Sequence, residues 1–375
     1  MRISAAMIVR NEERFLGDCL ASLKGHVDEI VVVDTGSRDR TREIARAHGA
    51  RLYEIPWPND FAAARNYSLD QATGDWILWV DADDRLHVPE GVRLSELLDD
   101  PRLAGATLTL EWQRGLTPGT ELRLFRNDPR IRFRGIIHEN ITSPVKAVCA
   151  VEGMEIRSTP LRLTHVGYEG DITHKHERNL ALLRRAVQEE PDRPFYWACL
   201  AETLAALSRD DEAIAACNRA ISAQRQLDLL TRRAYGGLAY QVLARILSNE
   251  GQDALPILNE AIESFPNECD LLFLRARALI AAGRHEEAVA ILDDLVATDV
   301  DRPVKSGTSY DRRIFGEFAH DLRGIALLRL ERFAEAAEAF ERAAAAAAAA
   351  PDNLAYRAKA AAARGRAART AARPS

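Results

Sequence analysis

The sequence holds few cysteines, no long apolar run, no glycine-rich phosphate loop and no excess of positive charge. Its five cysteines (Cys19, Cys149, Cys199, Cys217 and Cys269) are odd in number, widely spaced and form no C-x-x-C pair. That pattern excludes a disulfide framework or a cysteine-rich zinc site and fits reduced thiols. No stretch approaches the ~18 consecutive apolar residues of a membrane-spanning helix. The apolar run after Met1 stops at Arg10, short of a signal-peptide core with its cleavage site. Together these absences predict a cytoplasmic protein. The missing G-x-G-x-x-G and G-x-x-x-x-G-K-[ST] patterns set aside dinucleotide oxidoreductases and P-loop NTPases, and no nucleophile elbow is present. Lys+Arg total 50 against 56 Asp+Glu, a formal charge of −6, which argues against a nucleic-acid partner.

What is present divides the 375 residues into two parts of different periodicity. In the first, short Val/Ile-rich runs alternate with helical stretches. Ile3–Val9, Glu29–Val33, Leu52–Ile55 and Asp75–Val80 read as strands, the compact apolar ones suited to a sheet covered on both faces. Helices are expected over Glu12–Lys24, from Asp39 to Gly49, and over Phe61–Ala72. This alternation predicts a doubly wound α/β sheet. Further strands without long helices, over Ala106–Trp112, Glu121–Phe125, Phe133–Ile137 and Leu161–Val166, are expected to extend it.

From about residue 173 the pattern is helical and repetitive. Four units carry small residues at equivalent places, and Ala254 to Ala288 spans 34 residues, the tetratricopeptide period. Neighbouring steps are longer, which puts insertions at Gln224–Arg233 and Asp301–Asp311. The units resemble tetratricopeptide repeats, whose stacked helices form a curved face suited to peptides; capping the first domain or mediating a homo-oligomer is the plainer role. Expected boundaries are 1–172 for the sheet domain, 173–190 for a connecting helix, 191–352 for the repeats and 353–375 for a tail. The tail has no acid after Asp352 and carries Arg357, Lys359, Arg364, Arg366, Arg369 and Arg373. It reads as a solvated helix end, or as a peripheral contact with an anionic membrane surface.

Ligands of open α/β sheets bind beyond the carboxyl ends of the strands, and two acidic features stand there. Asp34 follows Ile30–Val33, and Asp81-Ala82-Asp83-Asp84 follows Trp79-Val80. Two carboxylates ~6 Å apart at an effective dielectric of ~20 repel by about 3 kcal/mol, and a cation relieves that repulsion. Oxygen ligands select Mg²⁺ or Mn²⁺. A solvated turn or helix cap is the bland alternative.

The ordered motifs Met7–Glu13, Val32–Thr41, Phe61–Asn66 and Gly74–Asp84 resemble glycosyltransferase family 2. Leu124–Asn127, Gly135–Glu139 and His165–Tyr168 resemble later motifs of its branch fused to tetratricopeptide repeats. The resemblance implies a GT-A, Rossmann-like fold followed by an all-α solenoid. It implies an inverting transferase that moves a sugar from a nucleotide-sugar donor, uridine-linked, to an acceptor nucleophile with Mn²⁺ or Mg²⁺. By the same resemblance Asp34 would accept a hydrogen bond from the base, Asn11 and Glu12 would lie near base and ribose, and Arg65 would face the nucleotide or diphosphate. Asp83, with Asp81 or through water, would hold the metal, and His165 would complete that site. Glu139 resembles the family's base, with Asp84 the alternative. The acceptor is left open among a peptide or protein, a lipid-linked sugar and a polysaccharide precursor. Two rival readings are a degenerate transferase domain serving as a peptide-binding scaffold, and a nucleotidyltransferase.

Overall fold

The computed structural model describes residues 1–112, 115–167, 173–301, 309–347 and 353–371. The chain divides into two units, Met1–Asp171 with Asp301–Ser309, and Ile172–Val300 with Tyr310–Ser375.

The first unit opens with β1 (Ile3–Val9), α1 (Leu16–Leu23), β2 (Glu29–Asp34), α2 (Thr41–Ala47), β3 (Arg51–Glu54), α3 (Phe61–Gln71) and β4 (Trp76–Trp79). It continues with β5 (Asp84–His87), α4 (Leu94–Leu97), β6 (Leu103–Trp112), β7 (Gly119–Arg126), α5 (Thr142–Glu152) and β8 (Glu155–His165). The strands form one mixed sheet in the order β3-β2-β1-β4-β7-β6-β8-β5. β1 pairs in parallel with β2 and β4, and β2 with β3. β7 then joins β4 antiparallel, with Ile77 opposite Phe125 and Leu78 opposite Leu124. Strands β1, β2 and β4 are apolar throughout their centres because both faces are covered. Met7, Trp76, Leu78 and Val80 bury on one face with Leu16, Leu20 and Leu23 of α1. Ile77, Trp79 and Phe125 bury on the other with Ala62 and Leu69 of α3 and Val145 of α5. Helix α3 starts where the Asp60 side chain accepts from the Ala63 N–H at 2.9 Å, which satisfies one orphan donor of its first turn.

Three sequence expectations change. Phe133–Ile137 is a loop with one isolated bridge, Arg134 to Asn140, rather than a strand. Positive φ at Gly135 and His138 breaks the extended run there. Strand β5 and helix α5 were not anticipated; β5 begins at Asp84 and carries no apolar alternation long enough to signal it.

The second unit is helical: α6 (Thr173–Glu189), α7 (Pro194–Ala206), α8 (Asp210–Arg225), α9 (Leu229–Tyr235), α10 (Leu238–Asn249), α11 (Leu255–Ser264), α12 (Cys269–Ala281), α13 (His285–Val296), α14 (Glu317–Arg329), α15 (Phe333–Ala346) and α16 (Asn353–Ala371). Successive hairpins α7–α8, α10–α11, α12–α13 and α14–α15 coincide with the four repeat units, and α9 occupies one expected insertion. Small residues allow the close approach. A Cβ on Gly324 of α14 would lie 2.6 Å from the Phe340 ring of α15. The described part of the basic tail packs along one face, while Arg357, Arg364, Arg366 and Arg369 are exposed. Helix α16 buries Tyr356, Ala360 and Ala363, Lys359 pairs with Asp321 at 2.6 Å, and Arg364 pairs with Glu341 at 3.0 Å. Among the described residues no helix is long and apolar enough to cross a membrane.

Candidate functional site

At the carboxyl end of β2, Asp34 is 1% exposed. Its Oδ1 accepts from the N–H groups of Gly36 and Ser37, each at 3.0 Å, and the turn needs Gly36 at φ 108°, a conformation open mainly to glycine. The other carboxylate oxygen, Oδ2, is buried without a hydrogen-bond partner. A buried, unmatched acceptor is costly unless a ligand donor meets it. The loop after β1 is laced to the same turn. The Asn11 N–H donates to Ser37 Oγ at 2.9 Å, and the Arg38 N–H donates to Asn11 Oδ1 at 2.8 Å. The Glu12 N–H donates to Thr41 Oγ1 at 2.7 Å. Asn11 is thus placed beside Asp34's turn, with its carbonyl oxygen spent on holding two strand-end loops in register.

Beside β4 the charges form a continuous chain. Arg65 of α3, 7% exposed, donates through Nε to Glu139 and through Nη2 to Asp81 Oδ1 at 2.8 Å. Arg123 of β7, 4% exposed, meets Asp81 Oδ2 at 3.5 Å, Asp84 Oδ2 at 3.1 Å and Glu121 Oε2 at 2.9 Å. Both guanidiniums lie over the Trp79 ring, 4.5 Å and 3.6 Å from its centroid. Trp79 itself donates through Nε1 to the Leu122 carbonyl at 2.8 Å. It is therefore sheet packing that also seats two cations. Against the desolvation that burial imposes, the charges of Arg65 and Arg123 hold the Asp81 carboxyl well below the usual carboxylate range.

These contacts bear on three of the expected roles. Both oxygens of Asp81 face arginines, Arg65 at Oδ1 and Arg123 at Oδ2. Arg65 lies between Asp81 and Glu139 and is paired with both. The side chain of Asp84 has no exposure and both its oxygens are engaged, Oδ1 by His165 and Oδ2 by Arg123 and the Asp81 N–H. Glu139 is held by Arg65 on a loop that α3 also fastens. Asn66, next to Arg65, donates to the Phe133 carbonyl at 3.0 Å and accepts from the Phe133 N–H at 2.7 Å.

Among the described residues, Asp83, Asp84 and His165 bring ligand atoms within 4.8 Å of one another. The antiparallel pairing of β5 with β8 sets Asp84 opposite His165. His165 Nδ1 lies 3.0 Å from Asp84 Oδ1, and Nε2 lies 3.4 Å from Asp83 Oδ2. With the Nδ1–H donated to Asp84, Nε2 and Asp83 Oδ2 are two acceptors face to face, an arrangement that needs a proton or a cation between them. Burial pushes the Asp83 carboxyl up, helped by Asp81 and Asp84 and opposed by His165. For His165, burial acts downward, but the hydrogen bond to Asp84 and the charges of Asp83, Asp84 and Asp81 outweigh it and raise the imidazole. The connected set holds five carboxylates (Asp81, Asp83, Asp84, Glu121, Glu139) against two guanidiniums. This negative excess, with one oxygen and one imidazole donor converging, fits a hard divalent cation. Asp84 then takes the part of the carboxylate that orients a ligating histidine through its other nitrogen. Tyr168, the last residue of the His165 motif, lies outside the described residues.

Arg123 and Glu121 escaped the sequence reading. The available signal was an arginine between Leu122 and Leu124 on a strand flanked by others, since a charge buried there has to be paired.

The eight-stranded mixed sheet, parallel from β3 to β4, antiparallel on both sides of β7 and parallel again between β6 and β8, is a GT-A-like sheet, and an array of helical hairpins follows it. Residues 4–147 match the family model for glycosyl transferase family 2, and residues 245–306 match that for the tetratricopeptide repeat. The N-terminal unit is accordingly a glycosyltransferase family 2 domain, and the helical unit carries tetratricopeptide repeats. A TPR repeat-containing protein of Synechococcus elongatus is 45% identical over 174 residues, covering 45% of this chain and 43% of its own. The prophage-derived glycosyltransferase SunS of Bacillus subtilis is 28% identical over 228 residues, covering 56% of this chain and 51% of its own. The chain thus spans about half the length of these curated relatives. Glucosyl-3-phosphoglycerate synthase of Mycobacterium tuberculosis, solved with Mn²⁺ and UDP-glucose, is 18% identical with a TM-score of 0.37, over 49% of this chain and 79% of that one.

Proposed function

We propose that the chain is an inverting glycosyltransferase that moves a sugar from a uridine-diphosphate-linked donor to an acceptor nucleophile, assisted by Mn²⁺ or Mg²⁺. The observation that carries this reading is the opposed pair of Asp83 Oδ2 and His165 Nε2, 3.4 Å apart, in a family 2 domain whose Asp34 Oδ2 is buried and unmatched.

Each residue then has a task. Asp34 Oδ2 accepts a ring N–H of the base, as uracil offers, and Asn11 with Glu12 shapes the neighbouring wall. Asp83 and His165 hold the cation, and Asp84 keeps His165 in the tautomer that leaves Nε2 available. Bound there, the cation supplies Lewis-acid stabilisation of the leaving diphosphate, worth several kcal/mol. Glu139 takes the proton of the acceptor as it attacks, and Arg65 fixes its carboxylate by the Nε contact while tying it to Asp81. Attack by an acceptor opposite the departing diphosphate inverts the anomeric carbon. The helical unit, whose hairpins stack in series, guides an acceptor or partner polypeptide.

The test is a donor screen. Purified protein is given a panel of nucleotide sugars with Mn²⁺ or Mg²⁺, nucleotide release is followed, and lysate acceptors are searched by mass spectrometry for an added sugar. Release of a nucleoside diphosphate from one donor is expected. Pyrophosphate release instead would mark a nucleotidyltransferase. No turnover and no thermal stabilisation by any donor would mark a scaffold.

A further inference from the structure

We infer that Arg123 is a positioning residue for the cation site, fixing Asp84 so that His165 presents Nε2 towards Asp83. The inference rests on the reading of Asp83 and His165 as the cation ligands.

Arg123 stands on β7, which lies between β4 and β6 in the sheet. The antiparallel register that pairs Leu78 with Leu124 brings the preceding residue of β7, Arg123, towards Trp79, and the guanidinium lies 3.6 Å from the centroid of that ring. The ring closes one face of the guanidinium, so its donors are left to spread in plane. They reach Asp84 Oδ2 at 3.1 Å, Asp81 Oδ2 at 3.5 Å and Glu121 Oε2 at 2.9 Å. Asp84 Oδ2 also accepts from the Asp81 N–H at 2.9 Å. With Oδ2 held from two directions, the carboxylate has one orientation, and Oδ1 meets His165 Nδ1 at 3.0 Å.

Removing the guanidinium leaves the Asp84 carboxylate buried with its principal charge partner gone. It is then free to rotate, and rotation releases His165 from its orientation. Asp81 loses the partner of its Oδ2 and is freed to swing from its place beside Arg65. A planar fork is needed for this work. An ammonium at the same place keeps the charge but cannot reach several carboxylates in one plane.

The experiment is Mn²⁺ binding to the full chain, with Mn²⁺ as the sole added ligand, read by the loss of the free-ion electron paramagnetic resonance signal. Wild type, Asp83→Asn, Arg123→Met and Arg123→Lys are compared, with circular dichroism and thermal midpoints recorded for each. Wild type binds and Asp83→Asn does not. Arg123→Met, folded by both measures, binds about 10- to 100-fold more weakly, and Arg123→Lys falls between it and wild type. Wild-type affinity in folded Arg123→Met overturns the inference while leaving the cation site intact. If Arg123→Met does not fold, Arg123→Lys decides: weakened binding supports the inference and wild-type affinity overturns it. Wild type indistinguishable from Asp83→Asn removes the cation site and, with it, the role of Arg123.

Discussion

Gly167 lies directly against the Asp83 carboxylate: a Cβ added to the glycine would stand 1.7 Å from Oδ2. The same oxygen faces His165 Nε2, and the Val166 N–H donates to the Asp83 carbonyl at 2.9 Å. The end of β8 therefore clasps Asp83 through its backbone and gives the carboxylate room through a missing side chain.

Gly167→Ala is expected to displace the Asp83 carboxylate and weaken Mn²⁺ binding about 10-fold or more, with little change in thermal midpoint. Titration of Mn²⁺ against the variant checks this. Unchanged affinity would show that Asp83 Oδ2 does not hold the ion.

Asp34→Asn tests the base contact. Oδ1 is fixed by two N–H donors, so the amide nitrogen must take the place of Oδ2 and turn an acceptor into a donor. Binding of uridine diphosphate, measured by calorimetry, is expected to weaken by on the order of 2 kcal/mol, about 30-fold.

The strand-end acids were legible because a buried apolar run ending in carboxylates is informative by itself. The runs before Asp34 and Asp81 both proved to be sheet strands, with Asp34 closing β2 and Asp81 following β4. The division of labour among the acids was not legible. Asp81, Asp83 and Asp84 are near neighbours in sequence, yet one faces arginines, one faces His165 and one is buried behind it. Those differences depend on β7 and β8, which sequence periodicity could not order within the sheet. The loop carrying Glu139 was misread as a strand because its apolar residues, Phe133, Ile136 and Ile137, are buried without a ladder.

Asp270 in α12 gives a pH-dependent prediction for the helical unit. Burial first, then the charges of Glu268 and Asp311, push its carboxyl up to about 6, with Arg245 opposing. The folded state then binds this proton more tightly than the unfolded one. The contribution is most favourable below the unfolded value and is lost as pH rises through about 6. Asp270→Asn should raise stability at pH ~8 by on the order of 2 kcal/mol, with the gain fading towards pH ~4. Thermal midpoints of both proteins across that range check the sign.

Gly324→Ala addresses the hairpin α14–α15. The added methyl meets the Phe340 ring at 2.6 Å, so the paired helices must part, at a cost of about 1–3 kcal/mol. Chemical denaturation followed by circular dichroism should show the helical signal lost earlier than in wild type.

The central claim is that Asp83 and His165 place a cation against the donor's diphosphate. Its most direct measurement is nucleotide release from the donor that the screen identifies, with Mn²⁺ present, in wild type and in folded Asp83→Ala. The account predicts turnover in wild type and its loss in Asp83→Ala. Release at the wild-type rate in Asp83→Ala would contradict it.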